Sequence, residues 1–319
     1  MSTTTEEIEG PVPGAHLGLS WEPTAPYDDV VALVRRCEDH DLVSPLVPEA
    51  YLKYQFTPGP TTQVLAGFDM SGQLRAVACV RHSAQENPTA VALRAYIDPL
   101  WRGRGIGRAV LAWQDSQALD GLQDTVGVHR IGVTIPSNLV DRRRLYTAAG
   151  FSSQGRLIRY SRRLGDTPAG TPRVLEPVCQ EPGVTIQALS EARAALEELP
   201  ARPDDVFVST ALYGAEALEC CADASRVALR HGAPVGAVFV HATSDGQGRP
   251  VGVIHEVLDA PDSVAHTLLE SAIQELWRGG AHSVHLRLAP SAAARWEALA
   301  EDIGCRAGGT HLIYGIEWT

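Results

Sequence analysis

The sequence predicts an α/β protein of two tandem units, and three observations carry that prediction. Apolar runs of strand character alternate with helix-period segments along most of the 319 residues. The stretch 165–183, with Pro168, Pro172, Pro177 and Pro182, has the composition of a linker, and the alternation begins again beyond it. Gly150 and Gly155 recur as Gly304 and Gly309, each pair offset by the same 154 residues. A chain of this length is about two ordinary domains.

The order of elements follows from periodicity and punctuation. Residues 17–22 read as a first strand, and 27–39 as a helix with Val30, Val31, Leu33 and Val34 on its apolar side. A broken, proline-punctuated helical region covers 42–55. Strands at 63–69 and 74–82 are joined by a turn at Met70-Ser71-Gly72, and 90–97 is a further strand. A helix at 106–119, a strand at 129–134, a helix at 140–149 and a strand at 155–163 complete the first unit. In the second, strands at 184–189, 225–230, 234–242 and 251–258 surround a helix at 191–199. A helix at 263–277, a strand at 282–288, a helix at 292–303 and a strand at 310–317 follow. The expected boundaries are a disordered segment 1–16, a first domain 17–164, the linker 165–183 and a second domain 184–319.

Composition narrows the class. Hydrophobic residues make up 45% of the chain, enough for real cores. The polar, acidic residues 1–14 have no apolar core of a signal peptide or anchor, and no run approaches the ~18 apolar residues of a membrane span, so a cytoplasmic location is expected. A net charge of -11 opposes a long polyanion as main partner. Cys37, Cys79, Cys179, Cys220, Cys221 and Cys305 form no C-x-x-C pair and have no histidines at zinc spacing, so they read as small buried hydrophobes and no metal is expected.

The segment 96–108 carries the chemistry. An apolar strand runs through Asp98-Pro99 into Arg102-Gly103-Arg104-Gly105-Ile106-Gly107-Arg108, where glycines at alternate positions let backbone N–H groups turn inward at a helix start. Such a turn is an anion cradle, suited to a pyrophosphate. The G-x-G-x-G spacing, preceded by an arginine and placed well inside the chain, departs from the dinucleotide fingerprint.

With Arg102-x-x-Gly105-x-Gly107 the segment resembles motif A of the GNAT N-acetyltransferase superfamily. Asn138 followed by Arg144-Leu145-Tyr146-Thr147-Ala148-Ala149-Gly150-Phe151 resembles motif B, with Asn138 eight residues before Tyr146 where the family usually has seven. The resemblance covers 17–164 and implies two tandem GNAT-like domains, each a mostly antiparallel mixed sheet flanked by helices. It further implies transfer of an acetyl or other acyl group from coenzyme A, held as co-substrate, to a primary amine through a tetrahedral intermediate. On this reading the backbone of Ala95, Tyr96 and Ile97 splays from its neighbouring strand and offers an N–H to the thioester carbonyl. Gly103 to Arg108 hold the pyrophosphate, Arg102 and Asn138 belong to the coenzyme site, and Tyr146 protonates the leaving thiolate. The bland reading of Tyr146 is a core aromatic.

Other roles stay open. No acid stands between Thr89 and Ile97, where many relatives have a glutamate, so the general base is Asp98, His82, Glu86 or a held water, or the amine arrives neutral. Arg142-Arg143-Arg144 is a coenzyme 3′-phosphate contact or a solvated helix face. Glu38-Asp39-His40-Asp41 selects a cationic amine or is an acidic helix end. The second unit runs Leu258-Asp259-Ala260-Pro261-Asp262-Ser263 straight into a helix, with no glycine or arginine, and places Ala300 where Tyr146 stands. It is expected to bind no coenzyme, with Asp262 or Ser263 capping its helix. A small-molecule amine is the leading acceptor, with a protein or peptide amine, or coenzyme binding without turnover, as alternatives; a homodimer is compatible with the chain.

Overall fold

In the computed structural model, residues 13–14, 17–83, 90–123, 126–165, 179, 181–192, 221, 223–258, 260–287 and 293–319 are described. Residues 193–199 of the helix expected at 191–199 and most of the linker lie outside them. Two compact units result: one of residues up to Val43, Tyr51–Gly155 and Leu312–Thr319, the other of Ser44–Ala50 and Arg156–His311.

The first unit opens with β1 (Ser20–Glu22), α1 (Tyr27–His40) and α2 (Glu49–Phe56). Strands β2 (Thr62–Phe68), β3 (Leu74–His82) and β4 (Ala90–Ile97) follow. A 3-10 turn, Pro99–Trp101, leads into α3 (Ile106–Asp120), β5 (His129–Pro136), α4 (Val140–Ala148) and the start of β6 (Ser152–Arg163). The strand order is β1-β2-β3-β4-β5, then the end of β12 (Arg306–Trp318), then the start of β6. β1 to β4 pair antiparallel and β4 with β5 parallel, the mixed sheet the sequence predicts. Its core includes Leu65, Val80, Leu93, Ile106, Trp113 and Ile135, contributed by strands and by one face of α3.

The second unit repeats the scheme with β7 (Val184–Ala188), β8 (Arg226–Arg230), β9 (Ala233–Ser244), β10 (Pro250–Leu258), α5 (Asp262–Arg278), β11 (Ser283–Arg287) and α6 (Ala293–Asp302). β7 to β10 pair antiparallel, β10 with β11 parallel, and β11 with β6 antiparallel. The 154-residue repeat is visible as matched helix ends. Phe151 N–H donates to the Tyr146 carbonyl at 3.0 Å, and Cys305 N–H to the Ala300 carbonyl at 2.8 Å, each beside a glycine of positive φ, Gly150 and Gly304.

One detail differs from the sequence reading. α5 has Pro261 at its N-cap and no side-chain capping bond, while the Ser263 hydroxyl donates to Glu181 at 2.8 Å. Pro261 starts the helix by its fixed φ rather than by a polar side chain. Of the cysteines described, Cys37, Cys79 and Cys305 are buried and Cys179 and Cys221 half-buried, all free; Cys220 lies outside the described residues. No helix of the described residues is long and apolar enough to cross a membrane.

Candidate functional site

The site begins where β4 loses a neighbour. β4 pairs with β5 only from Ala90 to Ala92, although it continues to Ile97. On its other edge Asp98 N–H donates to the Arg75 carbonyl at 2.7 Å, and Ser83 N–H to the Ala90 carbonyl at 3.0 Å. These bonds turn the even-numbered peptide groups toward β3, so by strand alternation those of Leu93, Ala95 and Ile97 face the gap. The expected splay is present.

Across the gap stands α3 with Gly105 at its N-cap, in the left-handed region at φ 88, and with no side-chain cap. A residue with a Cβ would resist that conformation, and a capping side chain would occupy the first N–H groups. Here no capping side chain occupies them. Arg104 stacks on Trp101, 4.6 Å from its ring centre, and Arg108 is exposed. Ala95, Ile97, Arg102, Gly103, Gly107, Leu145 and Tyr146 share one cleft of about 150 Å³ with Val110, Leu111, Gln114, Asp141 and Arg142.

Tyr146 comes to this cleft from α4 and is nearly buried, its ring edge-on to Phe151 at 5.3 Å. Burial pushes its phenol up to about 12, so it holds its proton throughout the neutral range. Tyr96 alternates to the other face of β4, where its ring meets Phe56 edge-on at 6.0 Å. By the same alternation its peptide groups turn toward β3, so Tyr96 presents no N–H to the gap.

Arg102 is held inside the protein. Its guanidinium makes two bonds to Asp41, at 2.5 and 3.0 Å, and its Nε donates to the Ile97 carbonyl at 3.1 Å. Arg142 donates to the same carboxylate at 3.0 Å, and the Asn138 amide donates to the Asp41 carbonyl at 3.4 Å. Asn138 is exposed and does not line the cleft. A single buried carboxylate at the end of α1 thus joins the cradle to α4. Asp41 is neither an exposed helix-end acid nor open to an incoming amine, and Arg142, unlike the exposed Arg144, is turned inward.

The base candidates fare differently. Asp98 is 1% exposed and accepts from Arg36 at 3.0 Å, Arg75 at 2.9 Å and the Leu100 N–H at 3.0 Å. Burial opposes its charge, but these donors overcome it and hold the carboxyl below its ordinary range. A carboxylate so occupied is a brace. Because its folded-state pKa is depressed, its stabilisation is present above the unfolded value of about 4 and lost as pH falls through the folded value. Asp98→Asn is expected to cost about 1–3 kcal/mol at pH 7 and progressively less as pH is lowered below about 4 in urea denaturation; a cost that does not change with pH would refute the ionic brace. His82 lies opposite Val91, four residues or about 14 Å along the strand from the Ala78–Ala95 pair, with its ring packed on Gly121. Glu86 lies outside the described residues.

Gln114 was not singled out by the sequence. It is 1% exposed, lines the cleft, and donates through its amide nitrogen to the Cys79 and Arg94 carbonyls, both at 2.9 Å. The signal available was a pair of glutamines, Gln114 and Gln117, on the mostly apolar buried face of α3. Among the described residues no group of three or more histidine, cysteine or acidic side chains could hold a metal.

No protein-family model matches the chain, and no curated protein sequence matches it. Solved structures do. A GCN5-related N-acetyltransferase from Sphaerobacter thermophilus aligns with 94% of this chain and 95% of its own, at 17% identity and a TM-score of 0.62. A tandem GNAT protein from the clavulanic acid biosynthesis pathway aligns with 94% of this chain and 98% of its own, at 13% identity and a TM-score of 0.65. The Saccharomyces cerevisiae N-myristoyltransferase, solved with myristoyl-CoA, covers 99% of this chain with 82% of its own at 11% identity and a TM-score of 0.57. At these identities the likeness is one of fold: the chain has the tandem GNAT fold.

Proposed function

We propose that the first unit binds an acyl-CoA and passes its acyl group directly to a primary amine, with acetyl as the acyl group and a small molecule as the acceptor. The observation that carries this reading is the convergence, on one cleft, of an unpaired strand edge at Ala95 and Ile97, the glycines Gly103 and Gly107 that flank the uncapped start of α3, and the protonated Tyr146. The residues suit the coenzyme. N–H groups at the start of α3, with Arg104 and Arg108 beside them, answer a pyrophosphate. The apolar walls of Ile97, Val110, Leu111 and Leu145 answer a thin, mostly uncharged arm.

In this site the thioester carbonyl is placed against the Ala95 N–H, which stabilises the oxyanion as the amine nitrogen attacks. The carbon–nitrogen bond forms and the carbon–sulfur bond breaks. Tyr146 donates toward the departing sulfur, and the proton that the nitrogen gives up restores the phenol, so that amide and free thiol leave. With Asp98 locked in its brace, the acceptor enters as the free amine, and no side-chain base is assigned. Release of free thiol from acetyl-CoA, measured with a panel of small amines and with peptides, tests the proposal. Tight acetyl-CoA binding without turnover on any acceptor would instead favour a coenzyme-binding module.

One acyl-CoA per chain is expected. In the second unit β10 ends at Leu258 and α5 begins at Asp262, which leaves 259–261 where the first unit has the whole turn 98–105. Ala300 stands in the place of Tyr146. Titration calorimetry with acetyl-CoA should give one site per chain; two equivalent sites would contradict the assignment.

A further inference from the structure

Gln114 is a buried amide in the floor of the cleft, and its two bonds go to one particular place. Cys79 and Arg94 are opposite each other on β3 and β4, and Gln114 Nε2 donates to both of their carbonyls at 2.9 Å. An amide NH2 has two protons, so both donors of this group are used. The Arg94 carbonyl and the Ala95 N–H belong to the same peptide unit, whose planarity points them in opposite directions. Where the carbonyl turns toward β3 and Gln114, the N–H turns into the gap left by β5.

We infer that Gln114 is a positioning residue for the Ala95 N–H: by donating to the Arg94 carbonyl it fixes the plane of the Arg94–Ala95 peptide and polarises it, so that its N–H is aimed and strengthened as a donor to the thioester oxygen. The inference rests on the proposed acyl transfer for its catalytic consequence, but not for the geometry. Three features support it. Beyond Ala92, β4 is held by β3 alone, so Gln114 adds a second hold on a peptide that β5 leaves bonded on one side only. A 1% exposed glutamine fixed by two bonds supplies a rigid one. Hydrogen bonds to a peptide carbonyl also polarise that peptide, and chains of such bonds strengthen one another by roughly 10–30% per bond. An apolar side chain of the same size would fill the floor and do neither.

Gln114→Met keeps the volume and removes both donors. With acetyl-CoA and a competent amine, kcat should fall about 10-fold or more, a part of the 100-fold to 1000-fold that one oxyanion donor supplies, while KM for acetyl-CoA stays within about 2-fold. Unchanged kcat would overturn the inference, as would a loss of coenzyme affinity equal to the loss of rate. Gln114→Glu is the second variant. Its side chain donates only as the neutral acid, so its activity should decline as pH rises through that group's titration, in a range where the wild type does not decline; a wild-type profile would count against the role. The third readout needs no turnover. In the ligand-free protein labelled with nitrogen-15 alanine, the Ala95 amide proton should move upfield in Gln114→Met, and an unmoved resonance overturns the positioning outright. Wild-type protein that releases no thiol with any acceptor would defeat the proposed function instead, leaving the Ala95 resonance to decide the geometry.

Discussion

Gly105→Val should abolish coenzyme binding in a chain that still folds. Gly105 holds φ 88 at the entry to α3, a conformation in which a β-branched residue is a true outlier. Valine there rotates the turn, and the N–H groups of the turn and first helical residues no longer converge. Each lost bond to a charged phosphate is worth about 1.5–3 kcal/mol, so losing even two lowers affinity by about 100-fold or more. The backbone strain costs about 1–3 kcal/mol of stability, which a unit of this size should tolerate. Gly107→Val reaches the same end by another route. Its backbone is not left-handed, but a Cβ there would lie 3.3 Å from Leu145 Cδ2 and 3.5 Å from Ile97 Cδ1, in the wall of the cleft. Calorimetry with acetyl-CoA, alongside thermal unfolding, decides the matter. A folded Gly105→Val protein of wild-type affinity would show that the turn is not the anion cradle.

What the sequence could reveal depended on how local the cause was. The glycine turn is read from consecutive residues because left-handed backbone and an uncapped helix start are local requirements, and Gly105 is the left-handed, uncapped start of α3. The alternation of elements likewise announced a repeated unit, since each strand and helix writes its own period. Partners chosen across long separations were not legible. Asp41 lies 61 residues from Arg102 and 101 from Arg142, and nothing near it in the sequence says that it will be buried between two arginines. Asp98 stood where a base was sought, yet Arg36 and Arg75 reach it from α1 and β3. Similarly, residues 312–319 group with the first unit, because strand sequences encode a buried face but not which edge they will join. Where Asp262 or Ser263 was expected to cap the helix, Pro261 stands at the N-cap and the Ser263 hydroxyl donates to Glu181.

Tyr146→Phe should separate chemistry from binding. The ring packs edge-on against Phe151, and phenylalanine keeps that contact while removing the hydroxyl alone. Coenzyme affinity should therefore stay within about 2-fold of wild type, and kcat should fall, because the lost interaction exists only as charge develops on sulfur. The size of the fall reports how the proton moves. Complete general-acid transfer is worth about 100-fold to 10,000-fold. With the phenol pushed up to about 12 by burial, however, full transfer to a thiolate of ordinary basicity near 8.5 is uphill by about 3 to 4 pKa units. A hydrogen bond that tightens on the departing sulfur, with the proton finally supplied by the attacking nitrogen, predicts a loss nearer 100-fold. The same elevated pKa fixes the sign of the pH dependence: the donor is lost only as pH rises toward about 12, so no alkaline decline in the neutral range belongs to Tyr146. A tyrosine that merely fills the core gives the opposite pattern, with full turnover in Tyr146→Phe and at most a small change in melting temperature. That result would remove the acid from this site and leave the sulfur to be protonated by water.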